Sequence, residues 1–240
     1  MLHRRLALGS AFALLPSAAF AQAKLLEQGK NFLGGAGKSL SADEIGGGLK
    51  DALRVGAKTV VGRVGKTDGY NADPAIRIPL PGPLQKVEGA LKAVGAGGML
   101  TDLQTKMNRG AEQAAPKALD IFVDAIGKMS ISDAQGILSG PQDAATQYFR
   151  RTTSDSLTSA FKPVVDSSLS GVGAVDAFKS VQSKAAGIPM AGKSVANFNL
   201  SDFTVGKALD GLFHYLGKEE AAIRSNPAAR TTDLLKKVFA

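Results

Sequence analysis

The fold of this protein is decided by one long helical pattern, residues 99–129, MLTDLQTKMNRGAEQAAPKALDIFVDAIGKM. Small or apolar side chains recur in it at steps of three and four, which places them on one face of a helix. This buried stripe comprises Leu100, Leu103, Met107, Ala111, Ala114, Ala118, Ile121 and Ala125. We therefore predict the longest helix of the chain here, kinked at Pro116 because proline lacks the N–H that an inner turn needs.

Shorter helical patterns lie on both sides of this run, and capping residues or first-turn prolines mark where they begin. The predicted starts are Ser41, Pro83, Ser130 or Ser132, Ala144, Val175, Ser201 and Asn226. A restart at residues 152–154 is expected to divide the helix that follows Ala144. The helix after Pro83 has the apolar face Leu84, Val87, Leu91 and Val94. Together these patterns predict an all-α, bundle-like single domain over residues 41–240.

Residues 76–81, IRIPLP, interrupt the helical pattern. Each of the two prolines forces the residue before it into an extended conformation, so this segment cannot be helical. We predict an extended arm, defined as residues 76–81, that packs across the helices. Its alternating apolar residues also suit an edge strand, but the chain has no second strand-like run to pair with it.

The first 23 residues have the features of a cleaved export signal. Arg4 and Arg5 precede a short apolar run at residues 6–15, and two overlapping A-x-A sites end at Ala21 and Ala23. The apolar run is shorter than the roughly 20 residues of a membrane span, and no cysteine follows for a lipoprotein anchor. We therefore expect residues 1–23 to be removed, residues 24–40 to form a flexible lead, and the protein to reside in the periplasm.

Composition excludes several classes of function. The 240 residues include no cysteine and no tryptophan, which excludes disulfides, thiolate metal sites and thiol nucleophiles. Without residues 1–23 the net charge falls from +8 to +6, with 27 basic against 21 acidic residues. So small an excess, without a dense basic block, does not indicate a nucleic-acid partner. His214 is then the sole histidine, so we predict no zinc site of nitrogen or sulfur ligands and no cofactor.

A basic stripe, defined as Lys50, Arg54 and Lys58, is the densest cationic feature of the chain. Its steps of four residues place the three cations on one face of the first predicted helix. We favour a solvated helix face as the explanation. The alternative is weak contact of this face with anionic lipid at a membrane surface.

Some polar residues fall where the helical pattern expects apolar ones. Asn108 and Glu112 lie at the edge of the long stripe, and Glu220 lies on the apolar face of the last long helix, four residues before Arg224. We favour inter-helix ion pairs and caps, with Glu220–Arg224 as a structural ion pair. The alternative is a polar pocket near the Pro116 kink, in which Asn108, Glu112, Tyr148 and Arg150 bind a small polar ligand or a hard cation.

Six short blocks along the chain resemble one bacterial family, domain of unknown function 4197. They are residues 48–53 (GLKDAL), 78–81 (IPLP), 108–112 (NRGAE), 143–146 (DAAT), 208–213 (ALDGLF) and 223–227 (IRSNP). The resemblance covers about residues 41–239 and keeps the order of the blocks. It implies an exported helical protein, and it implies no reaction and no functional residues.

Three classes of function remain. We favour a non-enzymatic binding or interaction protein of the cell envelope, whose partner is an envelope component or another protein. The second class is a carboxylate-based hydrolase with Glu112 and Asp124 as acid and base. The third is a peripheral protein that binds anionic lipid through the basic stripe.

Overall fold

The regular structure of the protein is helical. The computed structural model describes residues 42–95, 97–171, 173–186, 195 and 198–225, and within these ranges there is no strand. The α-helices are α1 (Ala42–Val64), α2 (Gly82–Ala93), α3 (Gly97–Ala114), α4 (Ala118–Lys128), α5 (Ile131–Ser139), α6 (Ala144–Gly171), α7 (Ala174–Ala186) and α8 (Leu200–Ser225). The predicted all-α fold class is confirmed.

Some sequence predictions lie outside the described residues. These are the export signal at residues 1–23, the lead at 24–40, the Ser41 cap and the helix after Asn226. Among the described helices, none combines the length and the apolar content that crossing a membrane requires.

The core of the domain is built around α6, which packs against α8, α3 and α4. Three buried aromatic rings mark its centre: the ring of Phe122 lies 5.1 Å from that of Phe149 and 6.3 Å from that of Phe213. Burying one such side chain stabilises a fold by about 1.5–3 kcal/mol. The helices are therefore held together mainly by apolar burial, and α3, α6 and α8 provide the frame on which polar groups are placed.

The predicted helix over residues 99–129 is two helices in the structure. A 3-10 turn, Ala115–Lys117, separates α3 from α4, and Pro116 lies within it. Each 3-10 residue advances about 120° around the axis, against about 100° in an α-helix, so three residues rotate the apolar face by about 60°. Ala118 and Ala125 of the predicted stripe are buried, Ile121 is half-buried, and Phe122 and Ile126 add to the buried face. The predicted interruption at Pro116 is confirmed, and the expectation of one unbroken helix is wrong.

The predicted restart at residues 152–154 is also wrong, because α6 continues through it for 28 residues and is longer than α3. The hydroxyls of Thr152, Thr153 and Ser154 each donate to the carbonyl four residues earlier, at 2.8, 2.6 and 2.5 Å. Their polar groups are thus satisfied inside the helix, and they do not cap a new one.

The predicted cap at Ser130 is confirmed, and the predicted start at Ser201 is shifted by one residue. Ser130 caps α5, since its hydroxyl accepts the N–H of Asp133 at 3.1 Å while Asp133 accepts the N–H of Ser130 at 3.0 Å. The predicted start of α8 at Ser201 is corrected: Asn199 caps this helix by accepting the N–H of Asp202 at 2.9 Å. Asparagine is as good an N-cap as serine, so either residue satisfied the sequence pattern.

Helix α2 is apolar over a narrower face than predicted. Leu84 and Leu91 are fully buried, whereas Val94 is 60% exposed. The helix ends at Ala93, and Gly95 follows with a positive φ of 79°, so Val94 lies in the turn and leaves the helical face. A left-handed glycine is a common helix terminator because it has no Cβ to clash.

The predicted arm is present and packs across the helices. Ile76, Ile78 and Leu80 are buried, while Arg77 and Pro79 between them are exposed. This alternation presents one side of the arm to the core and the other to solvent without any strand pairing. We call residues 65–81, which join α1 to α2 and include the arm, the connector.

Candidate functional site

The connector lies between α3 and α8 and is bonded to both helices. It begins with a series of turns, in which Gly65 donates its N–H to Val61 and Asp68 takes a positive φ of 66°. Aspartate tolerates this left-handed conformation better than most residues. The bonds that hold the connector come from buried side chains on α3 and from the backbone and side chains of α8.

Asn108 on α3 pairs with the backbone of the arm. Its Oδ1 accepts the N–H of Ile78 at 2.8 Å, and its Nδ2 donates to the carbonyls of Ile78 at 3.0 Å and Gln104 at 2.8 Å. A side-chain amide has the same donor and acceptor as a peptide group, so it can satisfy both polar groups of one residue. Asn108 therefore replaces the β-strand partner that Ile78 lacks.

Glu112, one turn further along α3, holds the turns of the connector. Its Oε1 accepts the backbone N–H groups of Tyr70 at 3.1 Å and Asn71 at 3.0 Å. Its Oε2 lies 2.8 Å from Arg109, whose guanidinium also lies 2.8 Å from Asp68. The hydrogen bond to Glu112 is the main cause of the raised pKa of Arg109. A buried carboxylate is stable only when paired in this way.

Tyr70 connects the same turns to α8. Its ring is fully buried, and its hydroxyl donates to the carbonyl of Ala208 at 2.6 Å. Burial raises the pKa of this hydroxyl, with a further contribution from the charge of Glu112. The phenol therefore stays protonated and acts as a fixed hydrogen-bond donor, which is a structural role.

A second polar cluster lies where the connector passes the middle of α8. The Tyr215 hydroxyl donates to Asp73, and Arg63 donates to that hydroxyl at 2.9 Å with its guanidinium 3.8 Å from the ring centroid. The hydrogen bond from Tyr215 is the main cause of the lowered pKa of Asp73. An open cleft of about 550 Å³ lies beside this cluster and is lined by Arg63, Lys66, Asp68, Gly69, Ala72, Asp73 and Pro74.

The structure does not bring the predicted pocket of Asn108, Glu112, Tyr148 and Arg150 together. Asn108 and Glu112 bind the connector, whereas the Tyr148 hydroxyl donates to the carbonyl of Ala125 at 3.4 Å. Arg150 lies over the ring of Phe213, with 4.4 Å between the guanidinium carbon and the ring centroid. The polar groups of Asn108 and Glu112 that were expected to bind a ligand are bonded to the connector backbone.

The predicted ion pair of Glu220 and Arg224 is present at 2.9 Å. Glu220 also accepts the N–H groups of Ala145 and Thr146, both at 2.8 Å, at the first turn of α6. Arg224 in turn donates to the carbonyl of Ile137 on α5 at 2.7 Å. A carboxylate at a helix N-terminus is stabilised by the free N–H groups there. This cluster fixes α8 against α5 and α6.

The basic stripe is partly neutralised by its surroundings. Lys50 donates to the carbonyl of Gly127 at 3.4 Å, and Arg54 pairs with Asp51 at 2.9 Å. Lys58 is exposed and has no ion pair among the described residues. These contacts fit the solvated helix face that the sequence favours, and within the described part of the chain Lys50 and Lys58 have no carboxylate partner.

A cleft of about 310 Å³ lies on the other side of the connector, between the arm and α8. Its lining includes Arg77, Lys207, Asp210 and His214, together with Ala75, Ile76, Pro79 and Gly211. Sequence reasoning missed Arg77 and Lys207 as site residues and assigned His214 to a solvated face. The alternation of apolar and other residues along residues 76–80 is a signal that could have placed Arg77 on the outer side of the arm. No signal in the sequence indicates that Lys207 of α8 lines the same cleft.

The described residues contain no group of three His, Asp or Glu side chains arranged to hold a metal ion. A search of curated proteins and a search of solved structures each found no match to this chain. One family model, described as "Protein of unknown function (DUF4197)", matches residues 39–240. The chain therefore belongs to the DUF4197 family.

Proposed function

We propose that this protein is an exported, non-enzymatic binding or interaction protein of the cell envelope, with the connector as its recognition element. One observation carries the proposal: buried polar side chains of α3 are committed to holding the connector in one conformation. Asn108 is fully buried and Glu112 is 3% exposed, and both bind connector backbone. The outward residues of the arm are thereby presented from a fixed backbone.

Loops that a rigid scaffold holds in place are the usual position of binding residues. A buried amide or carboxylate costs free energy unless its hydrogen bonds are complete, so apolar side chains would stabilise an ordinary core more simply. Here the buried groups of Asn108 and Glu112 bind the connector backbone and thereby order this loop. This supports a role in which the shape of the connector matters.

The hydrolase alternative is less well supported because its proposed acid and base are engaged elsewhere. Both oxygens of Glu112 are bonded, to the connector and to Arg109. Asp124 pairs with Lys128 at 2.7 Å on an exposed face of α4. A glycosidase-type pair needs two carboxyls facing one cleft about 5–10 Å apart, each able to reach substrate.

The membrane-surface alternative depends on the basic stripe. Binding of the protein to vesicles of phosphatidylglycerol at low salt, lost at high salt and lost in Lys58→Gln, would favour it. If Lys58→Gln binds these vesicles as well as its parent does, the basic stripe is not the membrane-binding surface.

The test of the proposal begins with the protein from its native envelope fraction. The N-terminus should be Gln22 or Lys24, and a photo-crosslinking amino acid at position 79, on the exposed side of the arm, should give a discrete crosslinked product. The control carries the same group at position 184, an exposed residue of α7. Discrete products at 79 and none at 184 support the proposal. Equal products at both positions, no product at either, or an unprocessed cytoplasmic protein would contradict it.

A further inference from the structure

The cleft between the arm and α8 has a surplus of positive charge on its walls. Arg77 and Lys207 line it against one carboxylate, Asp210, and Arg150 lies 3.9 Å from that carboxylate. His214 adds an imidazole to the same lining. Two cations, Arg77 and Lys207, thus line the cleft beside one acid, and that acid also contacts Arg150 from outside the lining. The cleft therefore favours a further negative charge.

We propose that this cleft binds a small organic anion through a carboxylate or phosphate oxyanion. The inference rests on the proposed function, since it assigns a ligand chemistry to one side of the connector. Its central residue is Arg77, because no carboxylate among the described residues pairs with its guanidinium. A planar guanidinium donates two parallel N–H groups and so matches an oxyanion in geometry as well as in charge.

The position of Arg77 is fixed by its backbone. Its own N–H donates to the carbonyl of Asp73 at 2.8 Å, and the N–H of the next residue, Ile78, donates to Asn108 at 2.8 Å. The side chain therefore starts from an ordered point at the edge of the cleft. A binding group on an ordered backbone loses less entropy when it closes on a ligand.

Asp210 pairs with cations that a bound anion would otherwise contact. It lies 3.0 Å from Lys207 and 3.9 Å from Arg150, on an exposed part of α8. Exposed ion pairs of this kind contribute little to stability, so a ligand can compete for Lys207. An anion that bridges Lys207 and Arg77 would join α8 to the arm.

The remaining walls of the cleft explain why the anion should be organic. Ala75, Pro79 and Gly211 contribute surface without charge, beside the partly accessible edge of Ile76. A volume of about 310 Å³ also exceeds what a bare inorganic ion needs. Small-ligand sites commonly combine such apolar walls with a few placed polar groups.

His214 provides a direct reporter for the test. The full chain has two histidines, His3 and His214, and a His214→Gln variant identifies the imidazole proton resonance of His214 by NMR. The probes are phenyl phosphate, benzoate, inorganic phosphate, neutral benzyl alcohol, and vesicles of phosphatidylglycerol. We expect saturable shifts of the His214 resonance with phenyl phosphate or benzoate, weaker shifts with inorganic phosphate, and none with benzyl alcohol.

Three variants separate binding from a general charge effect. Arg77→Gln should weaken binding of the effective probe by about tenfold, as expected for one charge-assisted pair. Lys184→Gln removes the same charge from α7 and should leave affinity within about twofold, because distant surface charges are screened. Asp210→Asn should tighten binding several-fold, since it frees Lys207 and Arg150. If Asp210 had only a structural role, Asp210→Asn would not increase the affinity for the anion.

The outcomes distinguish a free anion from a lipid headgroup, and they separate failure of the anion site from failure of the proposed function. A response to soluble organic anions supports a free ligand, and a response to vesicles as well supports a lipid headgroup. No saturable response to any anion, or equal losses in Arg77→Gln and Lys184→Gln, overturns the inference. If this happens while crosslinks at position 79 persist, the proposed function stands. If anion binding is saturable but the crosslinks at position 79 are absent, the proposed function is contradicted and the anion site is retained.

Discussion

The ring of Tyr70 lies against the backbone of Gly211 on α8, so that a Cβ built on Gly211 would be 2.6 Å from Cε1 of Tyr70. The same Cβ would be 3.1 Å from Cβ of Ile76 on the arm. Real Cβ atoms do not approach other atoms so closely, and a fully buried Tyr70 bonded to Ala208 has no room to withdraw. Glycine at position 211 therefore allows the connector to lie on α8.

Gly211→Ala should destabilise the protein by about 1–3 kcal/mol, because overpacking forces Tyr70 or the backbone to move. The measurement is the free energy of unfolding from denaturant titration. Gly206→Ala in the same helix is the matched control: nothing lies within 4 Å of its Cβ. It should stabilise the protein by up to about 1 kcal/mol through helix propensity. Equal effects of the two substitutions would contradict the close packing.

Glu112→Gln should lower the free energy of unfolding by about 2–3 kcal/mol, since Arg109 loses one of its two carboxylate partners and two connector N–H groups lose a charged acceptor. Asp124→Asn serves as the comparison, because Asp124 forms its 2.7 Å ion pair with Lys128 on the exposed surface. It should cost about 0.5 kcal/mol or less. A Glu112→Gln protein as stable as its parent would show that this carboxylate does not hold the connector.

Asn108→Ala should release the arm locally. The Ile78 N–H loses its acceptor, so its hydrogen exchange should accelerate by at least about tenfold, the equivalent of one lost buried hydrogen bond. Amides in the centre of α6, such as that of Leu157, should change much less. Gln113→Ala, an exposed change on the same helix, is the control. Equal acceleration throughout the protein would mean that Asn108 supports the whole fold and not the arm in particular.

Stability should fall in acid partly through Asp73. Hydrogen bonding to Tyr215 lowers the pKa of Asp73 in the folded protein, so the unfolded chain binds the proton more readily. The contribution is then complete above the unfolded pKa of about 4 and is lost as the pH falls through the lower folded value. Asp68 and Asp133 act in the same direction, chiefly through hydrogen bonds from Asn71 and Ser130.

Unfolding measured between about pH 5 and pH 2 tests this assignment. Asp73→Asn should flatten the acid side of the stability profile, and Tyr215→Phe should raise the pKa of Asp73, observed by NMR of its carboxyl carbon. Asp120→Asn, at an exposed residue of α4 whose carboxylate has no hydrogen bond or ion pair among the described residues, should leave the profile as in the parent. A profile unaltered by Asp73→Asn would contradict the role of this carboxyl.

The helical class, most helix starts and the extended arm follow from the amino-acid sequence alone, because these features depend on local rules. Periodicity assigns apolar faces, capping residues begin helices, and the prolines at positions 79 and 81 exclude a helix. The same rules also indicated that Asn108, Glu112 and Glu220 needed partners, since each interrupts an apolar stripe. For Glu220 the partner four residues away was local and could be named.

The partners of Asn108 and Glu112, in contrast, come from distant parts of the chain that folding brings together. Glu112 binds residues 42 and 41 positions away, and Asn108 binds one 30 positions away. Backbone N–H groups are present at nearly every residue and leave no mark in a sequence, so nothing local could point to Tyr70 or Ile78. The cleft beside Arg77 has the same origin. It depends on how the connector packs across distant helices, and a pattern along one segment carries no information about that packing.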